Sequence, residues 1–232
     1  MEIIAEIGQN HNGDIGLALE MIHIVKENGA DVAKFQLYDA VKLFPKEGNP
    51  WYEYNCKTEL SREQVYLLNE ECKKAGIEFM ASVFDTERIQ WLEEIGIKRH
   101  KIASRSINDS ALINAVCKTG KPLLVSLGMW NKKEFPTVPS KAKVDFLYCI
   151  SKYPTSFEDL HFKDVNFKKY AGFSDHTIGV NAPIAALVQG AGIIEKHFTL
   201  DKKMYGPDHE GSMTPQELKF IDQFRKDFVK MQ

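Results

Sequence analysis

The sequence contains no apolar run near the roughly 18 residues that a membrane-spanning helix needs. Its first residues, MEIIAEIGQN, read as a buried strand and lack the basic-then-apolar pattern of an export signal, so a cytoplasmic location is expected. Cysteine is scarce. Cys56, Cys72, Cys117 and Cys149 show neither Cys-x-x-Cys spacing nor the density of a disulfide scaffold, and they read as reduced, structural residues and not as metal ligands. An excess of charge is missing too: 30 basic against 32 acidic side chains leave a net of −2. No overall basic field is available for a nucleic-acid backbone or an anionic membrane, so any bound anion must be held by a local site. Low-complexity stretches are also absent. With 232 residues, 44% hydrophobic and 27% charged, the chain suits one soluble globular domain with a sizeable core.

Short runs rich in Val, Ile and Phe alternate with amphipathic segments, the pattern of repeated strand-helix units around a parallel sheet. Eight candidate strands begin near Ile3, Val32, Phe79, His100, Pro122, Val144, Ala171 and Ile193. A 3.6-residue apolar period marks helices over Gly16 to Asn28, Ser61 to Ala75, Thr86 to Ile95, Ser110 to Lys118, Val180 to Gln189 and Pro215 to Lys230. Ser61 with Gln64 forms a capping-box start, and Gly76, Gly96, Gly120 and Gly190 follow helices where a left-handed residue is wanted. Eight units favour a closed (β/α)8 TIM barrel, one domain over residues 1–232, above an open doubly wound sheet. Two units are irregular. Pro136 and Pro139 leave no room for a full helix between strands five and six, and Asp39 to Glu59 is a long, aromatic insert after strand two. Its Trp51, Tyr52 and Tyr54 read as surface aromatics of a lid or an interface, or as packing of that loop on the barrel rim.

In such barrels the C-terminal strand ends carry chemistry while the strand middles carry packing. Glu6, Lys34, Gln36, Ser82, Lys101, Ser104, Ser126, Ser151, Ser174, His176 and His197 fall at or near those ends. Lys34 and Gln36, two apart in a strand, share a face, and Ala33 and Phe35 take the other. If the shared face is the interior, Lys34 is desolvated there and needs an anion; Lys101 is a second lysine in an apolar strand, and the pair would suit a phosphate or carboxylate. Each lysine could instead snorkel to solvent from a strand end. His176 and His197 are one barrel repeat apart, so they end adjacent strands. With Asp175, Glu195 and Asp208 nearby they suit a divalent ion such as Mn or Mg with open positions for substrate, although either histidine alone is more often a hydrogen-bonded structural residue. His11, in NHNG, reads as a turn residue. Gly206 and Pro207 fix a turn ahead of Asp208, where an acidic group could anchor a sugar hydroxyl or simply precede the last helix.

The blocks EIGQNHNG, KFQ, KIAS, SDHTIG, EKHFTLDK and GPDH, in order from Ile4 to about Leu218, resemble the signature of the sialic acid synthase family. That resemblance implies a (β/α)8 barrel that condenses phosphoenolpyruvate with a hexosamine aldehyde such as N-acetylmannosamine, giving a nine-carbon 2-keto-3-deoxy acid and phosphate in surface-glycan biosynthesis. Carried over by position, it assigns His176 and His197 to the metal, and Lys34, Lys101, Ser82, Ser104, Ser126 and Ser174 to phosphoenolpyruvate. Glu6, Gln36, Tyr153 and Asp208 would face the sugar or the reacting centre, with Glu6, Lys34, Lys101 and His197 as the catalytic set and Ser151 beside the substrate.

The sequence also departs from the family pattern. Arg105 and Ser106 stand where the family has Gly-Glu, Leu127 interrupts Ser-Thr-Gly-Met, Tyr148-Cys149 replaces His-Cys, and Ser151-Lys152 precedes Tyr153-Pro154. The family's small C-terminal antifreeze-like domain, which completes a partner's site with an arginine, is not represented before Gln232. The resemblance therefore leaves three expectations. One is a synthase completed by a separate antifreeze-like protein or a homo-oligomer. Another is a binding or scaffold barrel that has lost catalysis. The third is a synthase for a different acceptor, to which Arg105 would offer a cation.

Overall fold

The computed structural model describes all 232 residues. Eight strands, each parallel to its neighbours, close on themselves in chain order. They are β1 (Glu2–Gly8), β2 (Val32–Leu37), β3 (Glu78–Val83), β4 (His100–Ile102), β5 (Leu123–Ser126), β6 (Val144–Cys149), β7 (Gly172–Asp175) and β8 (Ile193–His197). The last strand pairs with the first through Glu2 to Glu6 and Ile193 to His197. The expected barrel and all eight strands are present; strands five and seven start one residue later than the apolar runs do, and strands one and three one residue earlier.

The helices are α1 (Ile15–Glu27), α2 (Ala40–Leu43), α3 (Tyr52–Lys57), α4 (Arg62–Ala75), α5 (Thr86–Glu94), α6 (Ser110–Lys118), α7 (Asn181–Val188) and α8 (Pro215–Lys230). Local chemistry fixes their ends. The Ser61 side chain accepts from the Gln64 backbone N–H and the Gln64 side chain returns to the Ser61 N–H, while Gly76 closes the helix at a left-handed φ of 66°. A second capping box, Thr214 with Glu217, starts α8, with Pro215 in the first turn where no N–H is needed.

No helix follows β5, as the two prolines require. A third irregular unit was not foreseen: between β6 and β7 the chain makes only two short 3-10 turns, Phe157–Asp159 and Phe162–Asp164. Aromatic contacts take the place of a helix there, with Phe162 edge-on to Phe173 at 5.0 Å between centroids and Tyr148 stacked on Phe173 at 6.1 Å.

Alternation along the strands separates two cores. Outward residues such as Ile3, Ala5, Ile7, Ala33, Phe35, Phe79, Ala81 and Phe173 join the buried shell between strands and helices, as anticipated for Ala33 and Phe35. Inward residues Ile4, Val32, Met80, Leu124, Leu147 and Ile193 form a separate apolar plug inside the barrel. Each of these burials is worth about 1.5–3 kcal/mol before entropy is counted. Two residues further along the same strands the inward positions are Glu6, Lys34, Ser82, Ser126, Cys149 and Glu195, so a polar layer lies directly on an apolar floor.

Candidate active site

Every one of the fourteen candidate residues lines a single cavity of about 530 Å³ at the C-terminal mouth of the barrel, within the size range of small-molecule sites. At its base four charges interlock. The Lys34 ammonium lies 3.0 Å from Glu6 and 3.4 Å from Glu195, and Lys101 lies 3.5 Å from Glu195. Serines complete the layer: Lys34 reaches Ser82 at 3.3 Å, Lys101 donates to Ser126 at 2.8 Å, and Ser174 donates to Glu195 at 2.9 Å. With 3% and 1% of their surfaces exposed, Lys34 and Lys101 do not snorkel to solvent.

Burial opposes charge on both lysines, but their surroundings differ. Lys34 has two carboxylates within 3.4 Å, and Glu195 and Glu6 outweigh its burial and raise it above the ordinary lysine value. Lys101 has one carboxylate, at 3.5 Å, so burial prevails and it is lowered, with the neighbouring Lys34 charge acting in the same direction. Burial would raise Glu195; Lys101 and Lys34, with the Ser174 hydrogen bond, instead hold it well below the usual carboxylate range. The layer is therefore short of negative charge around Lys101, the condition in which an incoming anion gains most.

Above this layer sit Gln36, whose amide donates to Glu6 at 2.8 Å, and the two histidines, whose rings are 5.8 Å apart. Tyr153 covers His176, ring to ring, at 4.2 Å. Asp208 stands 3.8 Å from His197 Nδ1, carried by a turn whose neighbour His209 is fully buried and contacts Thr199 at 2.7 Å and Asn12 at 3.1 Å. Gly128 packs into the wall. Its N–H donates to Ser104 at 3.0 Å, and a Cβ there would fall 2.5 Å from Ser151 Oγ and 2.8 Å from Cys149 Sγ. The Ser151 hydroxyl and His197 Nδ1 are buried without hydrogen-bond partners, the state expected of groups that await a ligand.

A family model for NeuB matches residues 21–231 of the chain. The chain belongs to the NeuB family. N,N'-diacetyllegionaminic acid synthase of Legionella pneumophila is 38% identical over 253 residues, spanning 97% of this chain and 71% of that protein. Human N-acetylneuraminate-9-phosphate synthase is 33% identical over 239 residues, spanning 93% of this chain and 67% of that protein. Among solved structures, the N-acetylneuraminic acid synthetase of Leptospira borgpetersenii, in complex with citrate, superposes with a TM-score of 0.92 at 33% identity, covering 99% of this chain and 84% of that one. The resemblance read from the sequence motifs and the barrel architecture are both upheld. No helix of this NeuB-family chain is long and apolar enough to cross a membrane.

His176 and His197 are the two side chains of the upper layer that could hold a divalent ion. His176 Nδ1 lies 2.9 Å from the Ile150 carbonyl, which only accepts, so Nδ1 carries a proton and Nε2 would be the atom to meet an ion; burial opposes charge on this ring, but Cys149 and that carbonyl raise it above the ordinary imidazole value. Burial holds His197 below the ordinary imidazole value, in the neutral form that ligates, and its Nδ1 has no partner. No group of three or more His, Cys, Asp and Glu side chains gathers there, so the two imidazoles would be the side chains to hold such an ion.

Three assignments change. Asp175 is not a free carboxylate beside His176: Lys196 at 2.7 Å and the Thr177 N–H at 2.8 Å occupy it, on the outward face of β7 and β8. Glu195 serves the lysines and not the histidines, because alternation sets it one layer below His197. Tyr54 is not a surface aromatic; it is buried, with its hydroxyl bound to the Gln9 carbonyl at 2.9 Å and to Asn12 at 2.7 Å, while Trp51 lines the cavity. His11 is buried as well and does not line the cavity. Cys149 is free and packed, as are the other cysteines, yet it also lines the cavity, 3.3 Å from Ser104 Oγ and 3.9 Å from His176 Nδ1. Its inward register was the available signal. Lys196 was missed because a lysine beside a histidine in EKH gives no sign that it points outward into the shell.

Proposed function

We propose that this NeuB-family barrel joins the methylene carbon of phosphoenolpyruvate to the open-chain aldehyde of an N-acetylmannosamine-like sugar, giving a nine-carbon 2-keto-3-deoxy acid and phosphate for surface-glycan biosynthesis. The observation that carries the reading is the pair of buried lysines with their serines, directly below two adjacent imidazoles in one cavity. A small molecule with two anionic groups matches the lower layer, and a carbonyl oxygen matches the upper one.

In this reading Lys34, Lys101, Ser82, Ser104, Ser126 and Ser174 hold the phosphate and carboxylate of phosphoenolpyruvate and keep bulk water from its double bond. A divalent ion on His176 and His197, Mn or Mg, supplies Lewis-acid polarisation of the aldehyde when bound. The new bond joins C3 of phosphoenolpyruvate to the aldehyde carbon, whose oxygen takes up a proton to become a hydroxyl. Water adds at C2 and loses its protons, and the C2 intermediate expels phosphate to leave the ketone. Glu6, 3.0 Å from Lys34 and bound by Gln36, is placed to move a proton at the sugar oxygen or at that water. Asp208 and Tyr153 orient the sugar above the histidines.

The test is phosphate release from phosphoenolpyruvate by the metal-loaded protein with N-acetylmannosamine or related aldehydes, matched to keto acid identified by mass. Equal yields of both, lost in His197→Ala with the fold retained, support the reading. Phosphate without keto acid, or turnover that withstands removal of all divalent metal, contradicts it.

A further inference from the structure

Four of the chain's five arginines are held by carboxylates: Arg62 by Glu94, Arg88 by Glu59 and Asp85, Arg99 by Glu2 and Glu78, and Arg225 by Asp31 and Asp222. Arg105 is the exception. It makes no ion pair and no hydrogen bond, and instead its guanidinium lies over the ring of Phe44, 5.1 Å from the centroid, at the mouth of the cavity. Phe44 is itself braced edge-on by the buried Tyr38 at 5.2 Å. A guanidinium resting on an aromatic face keeps its in-plane N–H donors free, so the group is placed without being consumed.

The other cations facing the cavity lie in its floor: Lys34 and Lys101 are buried beside Glu6 and Glu195 and, in the reading above, meet phosphoenolpyruvate. Arg105 follows directly on Ser104, a residue of the polar layer, but is exposed where Ser104 is buried. It therefore stands above the anion floor, on the side of the site from which the sugar must extend.

We propose that Arg105 is a specificity-determining residue and that the acceptor carries a phosphate monoester at the end remote from its aldehyde. This rests on the condensation reading above, in which the lower layer takes phosphoenolpyruvate and the histidine level takes the aldehyde. The terminal carbon of an open-chain hexosamine bears a primary hydroxyl, and esterification there places a dianion at the mouth, matched to the guanidinium fork. A phosphotransfer reaction on the sugar must then precede this step, and a phosphate-removing reaction on the nine-carbon product follows where the free acid is used.

The experiment compares kcat/KM for N-acetylmannosamine, its 6-phosphate and the corresponding 6-carboxylate, in the unmodified protein and in Arg105→Ala and Arg105→Lys. The expected result is a preference for the 6-phosphate over the neutral sugar of about ten- to a hundredfold, the size of one charge-assisted contact. That ratio falls close to one in Arg105→Ala, survives in part in Arg105→Lys, and shrinks at high salt. A neutral sugar used as well as the 6-phosphate, a 6-carboxylate used better, or a ratio that persists in Arg105→Ala overturns the proposal while leaving the condensation intact. Loss of phosphate release and keto acid with all three acceptors overturns the condensation reading itself.

Discussion

Replacing Lys101 with methionine separates a binding cation from a structural strut. The stem of Lys101 is fully buried, and methionine keeps most of that volume. Burial already lowers the ammonium in the free protein, so removing it relieves a desolvation cost while giving up the 3.5 Å contact to Glu195 and the 2.8 Å hydrogen bond to Ser126. Glu195 keeps Lys34 at 3.4 Å and Ser174 at 2.9 Å, so it is not stranded. The expected stability loss is about 1–2 kcal/mol, which for a chain of this size lowers Tm by about 2–8 °C. Loss of a charge-assisted contact to a bound anion costs about 1.5–3 kcal/mol, a roughly 10- to 150-fold weaker affinity for phosphoenolpyruvate. Calorimetric titration with phosphoenolpyruvate and a thermal melt on the same sample read both quantities. Unchanged affinity, or a melting temperature lowered by more than about 12 °C, would refute the assignment and make Lys101 a structural residue.

Gly128→Ala forces a methyl group against Ser151, Cys149 and Ser104, and should cost about 1–3 kcal/mol and weaken phosphoenolpyruvate binding at least as clearly as it lowers Tm, checked by the same pair of measurements. Lys196→Met leaves Asp175 buried and charged without its partner, an expected loss of about 3–5 kcal/mol in denaturant unfolding; adding Asp175→Asn, which retains the acceptor for the Thr177 N–H, should recover most of it. Burial depresses His11 from the ordinary 6.5 to about 4. Above pH 6.5 it is neutral in both states and contributes no pH dependence. Between pH 6.5 and 4 the unfolded chain takes up a proton that the folded one refuses, and stability falls by about 3 kcal/mol before levelling below pH 4. His11→Gln should flatten that part of a stability-against-pH curve, and an unchanged slope would count against the assignment.

The barrel was legible because its strands are short apolar runs at near-regular spacing, and because Ser61 and the glycines after helices mark boundaries through local chemistry. The unit between β6 and β7 was not. Phe157, Phe162 and Phe167 carry no helical period to predict or to exclude, and the packing of Phe162 against Tyr148, Phe167 and Phe173 decides the outcome. Lys34 and Gln36 could be placed on one face from their spacing alone, whereas the role of Glu195 depends on two lysines distant in the chain and on closure of the barrel. Asp175 misleads for the same reason: a carboxylate flanking a histidine points to a site, but alternation turns it outward to Lys196. Arg105 could be found in the sequence; that it alone among the arginines lacks a carboxylate could not.

The central claim, that this cavity condenses phosphoenolpyruvate with an aldehyde through addition of water at C2, is tested most directly with phosphoenolpyruvate carrying ¹⁸O in the bridging C2–O–P position. The expected result is one phosphate per keto acid with the label retained in the phosphate, because the bond that breaks joins C2 to oxygen. Unlabelled phosphate, or labelled phosphate with no condensed acid, would contradict it.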